Sequence, residues 1–326
     1  MTALLTLWLA ATPSSWVTSS VVDSLDQREK VSALLAAIAT ERLAAGAPLE
    51  ADVAAETCLR IDRHRCSCIR DAGLAQGAMP SADAATLKAV HQHSAVYLWD
   101  YAMCDETAPD AGAMSALAAK WSGTTRSVST VTKATLEAKT PEALLADGNA
   151  RFNSLVPLEA KRRFETCATK QPVTCECAKR AGDAWLKLDD RQRAFVWWSR
   201  YLDCAPAAKD RPEVMKEVVA TEQELEQDPD WRERSEPAAY VQVSSTVSQR
   251  LLKQGRKAVA EKRLDDAVVT FTACRLVDYK QFDCMLELAQ TLQTLDKTAE
   301  AQHLRQVLER GLPPKDPRRA ALEKLP

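Results

Sequence analysis

Polar and apolar residues along this chain do not alternate in the way that β-strands require. Runs in which Val, Ile or Thr alternate with polar residues are nearly absent, and Gly is scarce, with 9 residues in 326. Ala, Leu, Glu, Lys, Arg and Gln dominate instead, and these residues lose little conformational freedom when they enter a helix. The pattern therefore predicts an all-α protein.

Breakers and capping residues place several of the predicted helices. Gly46 and Pro48 separate a helix near 24–45 from one near 49–61. Thr140-Pro141 begins another helix, because the missing N–H of proline costs nothing in a first turn. Three further turns carry a Leu-Asp pair, in which we expect the aspartate to cap the following helix. The pairs are Leu188-Asp189, Leu264-Asp265 and Leu295-Asp296.

Two stretches of different composition divide the chain. The stretch 122–139 is rich in Ser and Thr, and the stretch 227–246 carries prolines among mixed charges. Both are predicted to be linkers between helical repeat units. The three predicted units cover 24–121, 140–226 and 247–326.

Ten cysteines recur in three sets with one spacing. The sets are Cys58, Cys66, Cys68 and Cys104, then Cys167, Cys175, Cys177 and Cys204, and finally Cys274 and Cys284. Each set contains two cysteines ten residues apart, and the sets follow one another at intervals of 109 and 107 residues. The chain is therefore predicted to contain three related units, with cysteines as part of the repeat.

A second pattern of small and aromatic residues runs through the same units. Gly148, Ala160, Phe164, Cys167 and Pro172 follow one another at steps of 12, 4, 3 and 5. The same steps recur at Gly182, Ala194, Trp198, Tyr201 and Pro206, and the first three recur at Gly255, Ala267, Phe271 and Cys274. This pattern resembles the tetratricopeptide repeat, a helix-turn-helix unit of ~34 residues. The resemblance covers roughly 140–310.

The resemblance implies an α-solenoid, that is, an array of antiparallel helical hairpins. Its small residues let the two helices approach closely, and the aromatic residue fills the space between them. The spacing also continues, without the glycine or the aromatic, in two further places. These are Ala39, Ala51, Ala55 and Cys58 near the start, and Ala289, Ala301 and Arg305 near the end.

In this hairpin register, two kinds of disulfide are expected. Cys167 faces the next hairpin, whose first turns carry Cys177. Cys175 points about 200° away from Cys177 on the same helix and so faces the helix that ends with Cys204. The predicted bonds are Cys58–Cys68, Cys66–Cys104, Cys167–Cys177, Cys175–Cys204 and Cys274–Cys284. The third set lacks the second kind as a pair, since Phe282 and Gly311 occupy the equivalent positions.

Other uses of the cysteines remain open. Cys-x-Cys together with His64, His91 and His93 has the chemistry of a metal site, but the second set has no histidine and its two neighbouring cysteines diverge. A redox switch or buried thiols are further alternatives. We expect structural disulfides, and no metal or cofactor. Structural disulfides indicate an oxidising compartment, so we expect a periplasmic or secreted protein.

The N-terminus has features of a signal peptide, which we predict over 1–20. An apolar run covers 3–11 and small residues follow it, although the first basic residue is Arg28. The alternative is an apolar first helix. Nowhere do about 20 apolar residues run together, so no membrane span is expected.

The remaining features bound the function. A net charge of −2 without a basic stripe disfavours nucleic-acid binding. The motifs of phosphate-binding loops, serine hydrolases and zinc proteases are absent, so we expect no enzyme. Trp198 falls at the packing position, which leaves the adjacent Trp197 as a candidate contact for a partner. The clusters 161–163 and 318–319 are expected to be solvated helix faces.

The resemblance implies binding of a protein or peptide along the hairpin array. Together with the cysteines, it predicts a non-enzymatic scaffold or assembly factor in a cell envelope, and the Ala-rich composition favours a bacterial one. A metal- or redox-dependent regulator and a structural subunit of a surface assembly are the alternatives. The oligomeric state is left open.

Overall fold

A computed structural model describes residues 19–80, 83–126, 131–170, 174–227 and 241–325. These residues form helices without a single strand, which confirms the predicted all-α class. The helices are α1 (Ser19–Ala44), α2 (Pro48–Ile61), α3 (Cys66–Gly77), α4 (Ala84–Cys104), α5 (Ala111–Ser122), α6 (Lys133–Glu137), α7 (Pro141–Asn153), α8 (Pro157–Ala168), α9 (Cys175–Lys187), α10 (Arg191–Cys204), α11 (Arg211–Gln227), α12 (Val241–Ala260), α13 (Leu264–Val277), α14 (Phe282–Thr294), α15 (Thr298–Gly311) and α16 (Arg319–Leu322).

The chain groups into two compact units, and we call the first one unit A. It comprises Met1–Asp26, Ala102–Ala113 and Ser127–Pro229. Its helices pack in chain order, with α7 on α8, α8 on α9, α9 on α10 and α10 on α11. Unit A is thus a solenoid-like series of hairpins, and it contains the second set of cysteines.

Unit B comprises Gln27–Tyr101, Met114–Arg126 and Asp230–Pro326. Helices α12 to α16 again pack in chain order, and α2 packs on α3. In addition, α2 packs against both α12 and α13, although more than 170 residues separate them along the chain. Residues from the first and third repeats therefore form one hydrophobic core, which includes Leu35, Cys58, Phe271 and Leu288.

The hairpins share one turn geometry. In five hairpins, the residue seven positions after the small residue (Gly or Ala) of the first helix has a left-handed backbone, with φ between 58° and 69°. These residues are Gly46, Leu155, Asp189, Lys262 and Asp296. Only one of the five is a glycine, so the turn recurs although the residue type at that position varies.

This geometry corrects the predicted helix caps. Asp189 and Asp296 are the left-handed turn residues rather than caps, and Asp265 lies inside the first turn of α13. Helix α10 is capped instead by Asp190, whose side chain accepts a hydrogen bond from the Arg193 backbone N–H at 3.1 Å. The predicted start at Thr140-Pro141 is confirmed, since Thr140 Oγ1 accepts from the Ala143 N–H at 3.3 Å.

The small and aromatic positions pack as a pair in three hairpins. A Cβ atom placed on Gly182 would lie 2.3 Å from the Trp198 ring, and one on Gly255 would lie 2.3 Å from Phe271. Gly148 meets Phe164 in the same way, at 2.5 Å. Each glycine thus provides the space that the aromatic ring fills, as the repeat pattern predicted.

The first repeat contains one long helix, α4, of 21 residues. Cys68 and Cys104 are 36 residues apart, against 27 for Cys177 and Cys204, and α4 accounts for most of this difference because it has 21 residues where α10 has 14. None of the described helices is both long and apolar enough to cross a membrane. The predicted unit boundaries remain a prediction, with α12 beginning at Val241, inside the predicted second linker. The predicted signal peptide lies almost entirely outside the described residues.

Candidate functional site

One kind of disulfide links successive hairpins, and it occurs three times. The bonded pairs are Cys58–Cys68, Cys167–Cys177 and Cys274–Cys284, with Cα–Cα distances of 6.2, 5.8 and 6.0 Å. These distances are ordinary for disulfides, and all six cysteines are fully buried. These three pairs are the ones predicted from the sequence.

The surroundings of these three bonds also repeat. The sulfur of the first cysteine lies 3.0 to 3.4 Å from a backbone carbonyl oxygen in the preceding helix, 26 residues earlier in the chain. The carbonyls belong to Ser32, Pro141 and Ser248. An identical offset in all three sets shows that α1, α7 and α12 hold equivalent places in the repeat.

A second kind of disulfide closes a hairpin. Cys175, the first residue of α9, is bonded to Cys204, the last residue of α10, with a Cα–Cα distance of 5.5 Å. Both cysteines are partly exposed. Cys66 and Cys104 are also disulfide-bonded, which leaves no free cysteine among the described residues.

In the third repeat, the equivalent end of the hairpin is closed without a disulfide. A Cβ atom on Gly311 would lie 2.9 Å from the Phe282 ring, so the ring packs directly on the glycine backbone. The Arg318 guanidinium lies 5.4 Å from the centre of that ring and pairs with Asp283 at 3.2 Å. An aromatic contact therefore takes the place of the Cys175–Cys204 bond.

The Trp197 side chain packs against the core of unit A and is partly exposed. Its ring is partly exposed and packs beside a cluster of buried residues that includes Ala160, Phe164 and Ala181. The guanidinium of Arg200, itself exposed, lies 4.6 Å from the ring centre. Trp197, the one contact residue predicted from sequence, therefore presents a partly exposed aromatic ring beside a positive charge.

The basic cluster at 161–163 is not a solvated face, which corrects the expectation from sequence. Arg163 is 1% exposed and pairs with Glu106 and, at 2.9 Å, with Asp147. Arg162 donates to Asp105 and to Thr107, at 2.8 Å for the latter. These contacts attach the segment after α4 to α8, because buried charges need partners of opposite sign.

The pair 318–319 stays partly exposed, but both arginines also make structural contacts. Arg318 pairs with Asp316 at 2.7 Å, and this pairing lowers the pKa of Asp316 to about 2. Arg319 donates to the carbonyl oxygens of Glu309 and Leu312, at 2.8 and 2.6 Å. Such contacts satisfy the free carbonyls that end α15.

His91 and His93 take part in ring packing. The His91 ring stacks on Trp121 with 4.8 Å between centres, and its Nε2 lies 3.2 Å from the Gly77 carbonyl oxygen. His93 meets the Tyr97 ring edge-on at 5.4 Å. Across the described residues, no three His, Cys, Asp or Glu side chains are placed to hold a metal ion.

One carboxyl cluster was not anticipated from sequence. Asp52 is 4% exposed, and burial, with a contribution from Glu56, raises its pKa to about 6, against a weaker opposing hydrogen bond from Gln76. Glu56 accepts hydrogen bonds from Tyr97 Oη at 2.9 Å and from Gln76 Nε2 at 3.1 Å. Burial and the charge of Glu56 raise the pKa of Tyr97 to about 12. The cluster joins α2, α3 and α4 through polar contacts.

The architecture defines the class of the protein as an all-α, disulfide-stapled array of helical hairpins. Comparison with models of known protein families and with curated proteins found no match for this chain. The class therefore rests on the repeated register, the turns and the disulfides. Such bonds suggest an oxidising, extracellular type of environment.

Proposed function

We propose that the chain is a non-enzymatic scaffold of the tetratricopeptide type that binds a protein or peptide partner in a cell envelope or outside the cell. The observation that carries the proposal is the recurrence of one hairpin register with its buried bond, at Cys58–Cys68, Cys167–Cys177 and Cys274–Cys284. Stacked hairpins offer extended surfaces for partners, and disulfides keep such a surface ordered before binding.

The surface around Trp197 is the proposed binding site for the protein or peptide partner. Aromatic residues and arginine are enriched where protein interfaces gain most of their binding energy. Here a partly exposed Trp ring lies next to the exposed Arg200. The ring is already held by the core of unit A, so binding would cost little side-chain entropy.

Site-specific photo-crosslinking tests the proposal in cells that produce the protein naturally. Benzoylphenylalanine replaces Trp197 in one variant and Leu155, an 86% exposed turn residue, in a control. We expect a discrete adduct with one partner at 197 and none at 155. Equal adducts at both positions, or none in the exported fraction, would contradict the proposal.

Purified components give the quantitative test. Arg200→Glu changes the charge of the proposed contact without removing a buried side chain, and Lys253→Glu makes a comparable change on the exposed face of α12. We expect Arg200→Glu to weaken the partner's affinity by about tenfold and the control to leave it unchanged. A partner that binds both variants equally would place the contact elsewhere.

A further inference from the structure

The disulfides differ in their access to solvent. All three hairpin-linking bonds, at Cys58–Cys68, Cys167–Cys177 and Cys274–Cys284, join fully buried cysteines. In the Cys175–Cys204 bond, by contrast, both cysteines are partly exposed. A reductant must reach a sulfur atom before exchange can begin, so the buried bonds require local unfolding first.

The position of the exposed bond also favours its cleavage. Cys175 is the first residue of α9, and the Thr174 side chain does not cap this helix. Because Cys175 begins α9, the backbone N–H groups of the first turn of this helix lie close to it. A thiolate at the N-terminus of a helix is stabilised by the helix dipole, which makes Cys175 the better leaving group of the two.

The fold does not depend on this bond in every repeat. In the third repeat, Phe282 and Gly311 close the equivalent end by direct packing. The buried bond, in contrast, is present in all three repeats. A hairpin of this architecture can thus form without the end-closing bond.

From these observations, we propose that Cys175–Cys204 is a reversible thiol–disulfide exchange site that accepts small thiols or dithiols, while the buried bonds stay oxidised. The thiolate of the reductant attacks the Cys204 sulfur, the disulfide breaks, and Cys175 leaves as a thiolate that takes up a proton. A second thiol of the reductant then attacks the mixed disulfide. The products are two protein thiols and one oxidised reductant.

Reduction of the Cys175–Cys204 bond affects the part of unit A where α11 begins. Beside the bond, Asp210 accepts from Lys179 at 2.5 Å and from Tyr201, and Arg211 donates to the Leu202 carbonyl oxygen. These contacts hold the start of α11 against α9 and α10. Release of Cys204 frees the end of α10, so the exchange site controls how firmly α11 is held.

Timed reduction of the purified full-length protein tests the site without any partner. Reduced glutathione or dithiothreitol is added under native conditions, samples are alkylated at intervals, and peptides report each cysteine. We expect Cys175 and Cys204 to be labelled at least about tenfold faster than the six fully buried cysteines. Oxidised glutathione should restore the bond.

The structural consequence has its own readout. On selective reduction, backbone hydrogen exchange should rise in 200–214 and stay unchanged in α12 to α15, with no loss of helical circular dichroism. Cys175→Ser/Cys204→Ser should show the same exchange pattern before any reductant is added. Reduction of all bonds at one rate, or only together with loss of helix, would overturn the proposal.

Discussion

At the scale of single residues, the size of one side chain is matched to the space left by another. Three hairpins combine glycine with an aromatic ring, at Gly148, Gly182 and Gly255. In the two hairpins where alanine replaces the glycine, Ala55 and Arg305 replace the aromatic. The change is paired because a Cβ atom and a ring cannot both occupy the space between the helices.

This pairing leads to a test by substitution. Gly182→Ala places a methyl group 2.3 Å from the Trp198 ring, so we expect a loss of about 1–3 kcal/mol in the free energy of unfolding. Gly112→Ala is the matched control, because nothing lies within 4 Å of its added Cβ. Urea unfolding should show no loss for the control, and equal losses for both variants would contradict the packing.

A second residue-scale prediction concerns Asp52. Burial raises its pKa from 3.8 to about 6, so the folded state binds a proton more tightly than the unfolded state. This contribution to stability is complete below pH 3.8 and is lost as the pH rises through 6. At pH 8, Asp52→Asn should therefore raise the free energy of unfolding by about 2–3 kcal/mol.

Urea unfolding across the pH range checks this prediction. The advantage of Asp52→Asn over the wild type should shrink as the pH falls and vanish near pH 4. Asp83→Asn is the control, because hydrogen bonds from Thr86 lower the pKa of Asp83. That variant should not be stabilised at any pH, and an Asp52→Asn variant destabilised at pH 8 would refute the role assigned to burial.

At the scale of elements, buried ion pairs connect segments that lie far apart in the sequence. Arg163 of α8 holds Glu106, 57 residues earlier in the chain. Arg163→Met leaves that buried carboxylate without its partner, so we expect a loss of about 3–5 kcal/mol. Arg151→Gln removes a more exposed pair with Glu159 and should cost less than about 1 kcal/mol. Thermal and urea unfolding compare the two variants, and similar losses would count against burial as the cause.

The end of the third repeat offers another element-scale test. Phe282 and Gly311 stand where Cys175 and Cys204 are bonded in the second repeat. We expect Phe282→Cys/Gly311→Cys to form a sixth disulfide. Its oxidised form should be more stable than its reduced form by about 2–4 kcal/mol. Peptide mapping detects the bond, and each single substitution serves as a control. A double variant that keeps two free thiols would show that the two ends are not equivalent.

Prediction from sequence worked best for contacts between residues that are close together along the chain. Cys167 lies near the end of α8 and Cys177 near the start of α9, and a separation of only ten residues along the chain keeps them within bonding distance. The predicted solvated face at 161–163 was wrong, because the partners of this cluster at 105–107 follow a different helix. The predicted caps Asp189 and Asp296 were wrong because each is a turn residue with a left-handed backbone, which the Leu-Asp pattern does not indicate.

At the scale of the whole molecule, the five predicted disulfides together involve all ten cysteines of the chain. Eight cysteines are bonded as Cys58–Cys68, Cys167–Cys177, Cys175–Cys204 and Cys274–Cys284. Denaturation without reductant should therefore expose no thiol, and peptide mapping should return these pairs together with Cys66–Cys104. A bond between Cys175 and Cys177 would contradict the helix geometry, and its absence is the most direct check of the repeat.

By itself, the sequence determined the helical class, the three repeated cysteine sets and the pairing of cysteines ten residues apart, because helix period and chain reach limit these contacts to a few alternatives. Only the tertiary structure decided that α2 packs on α12 and α13, so that the first and third repeats share a core in unit B. The burial of Arg163 and the contact of Phe282 with Gly311 were decided in the same way. Such contacts depend on which surfaces meet after the hairpins have formed, and spacing along the chain carries no record of that choice.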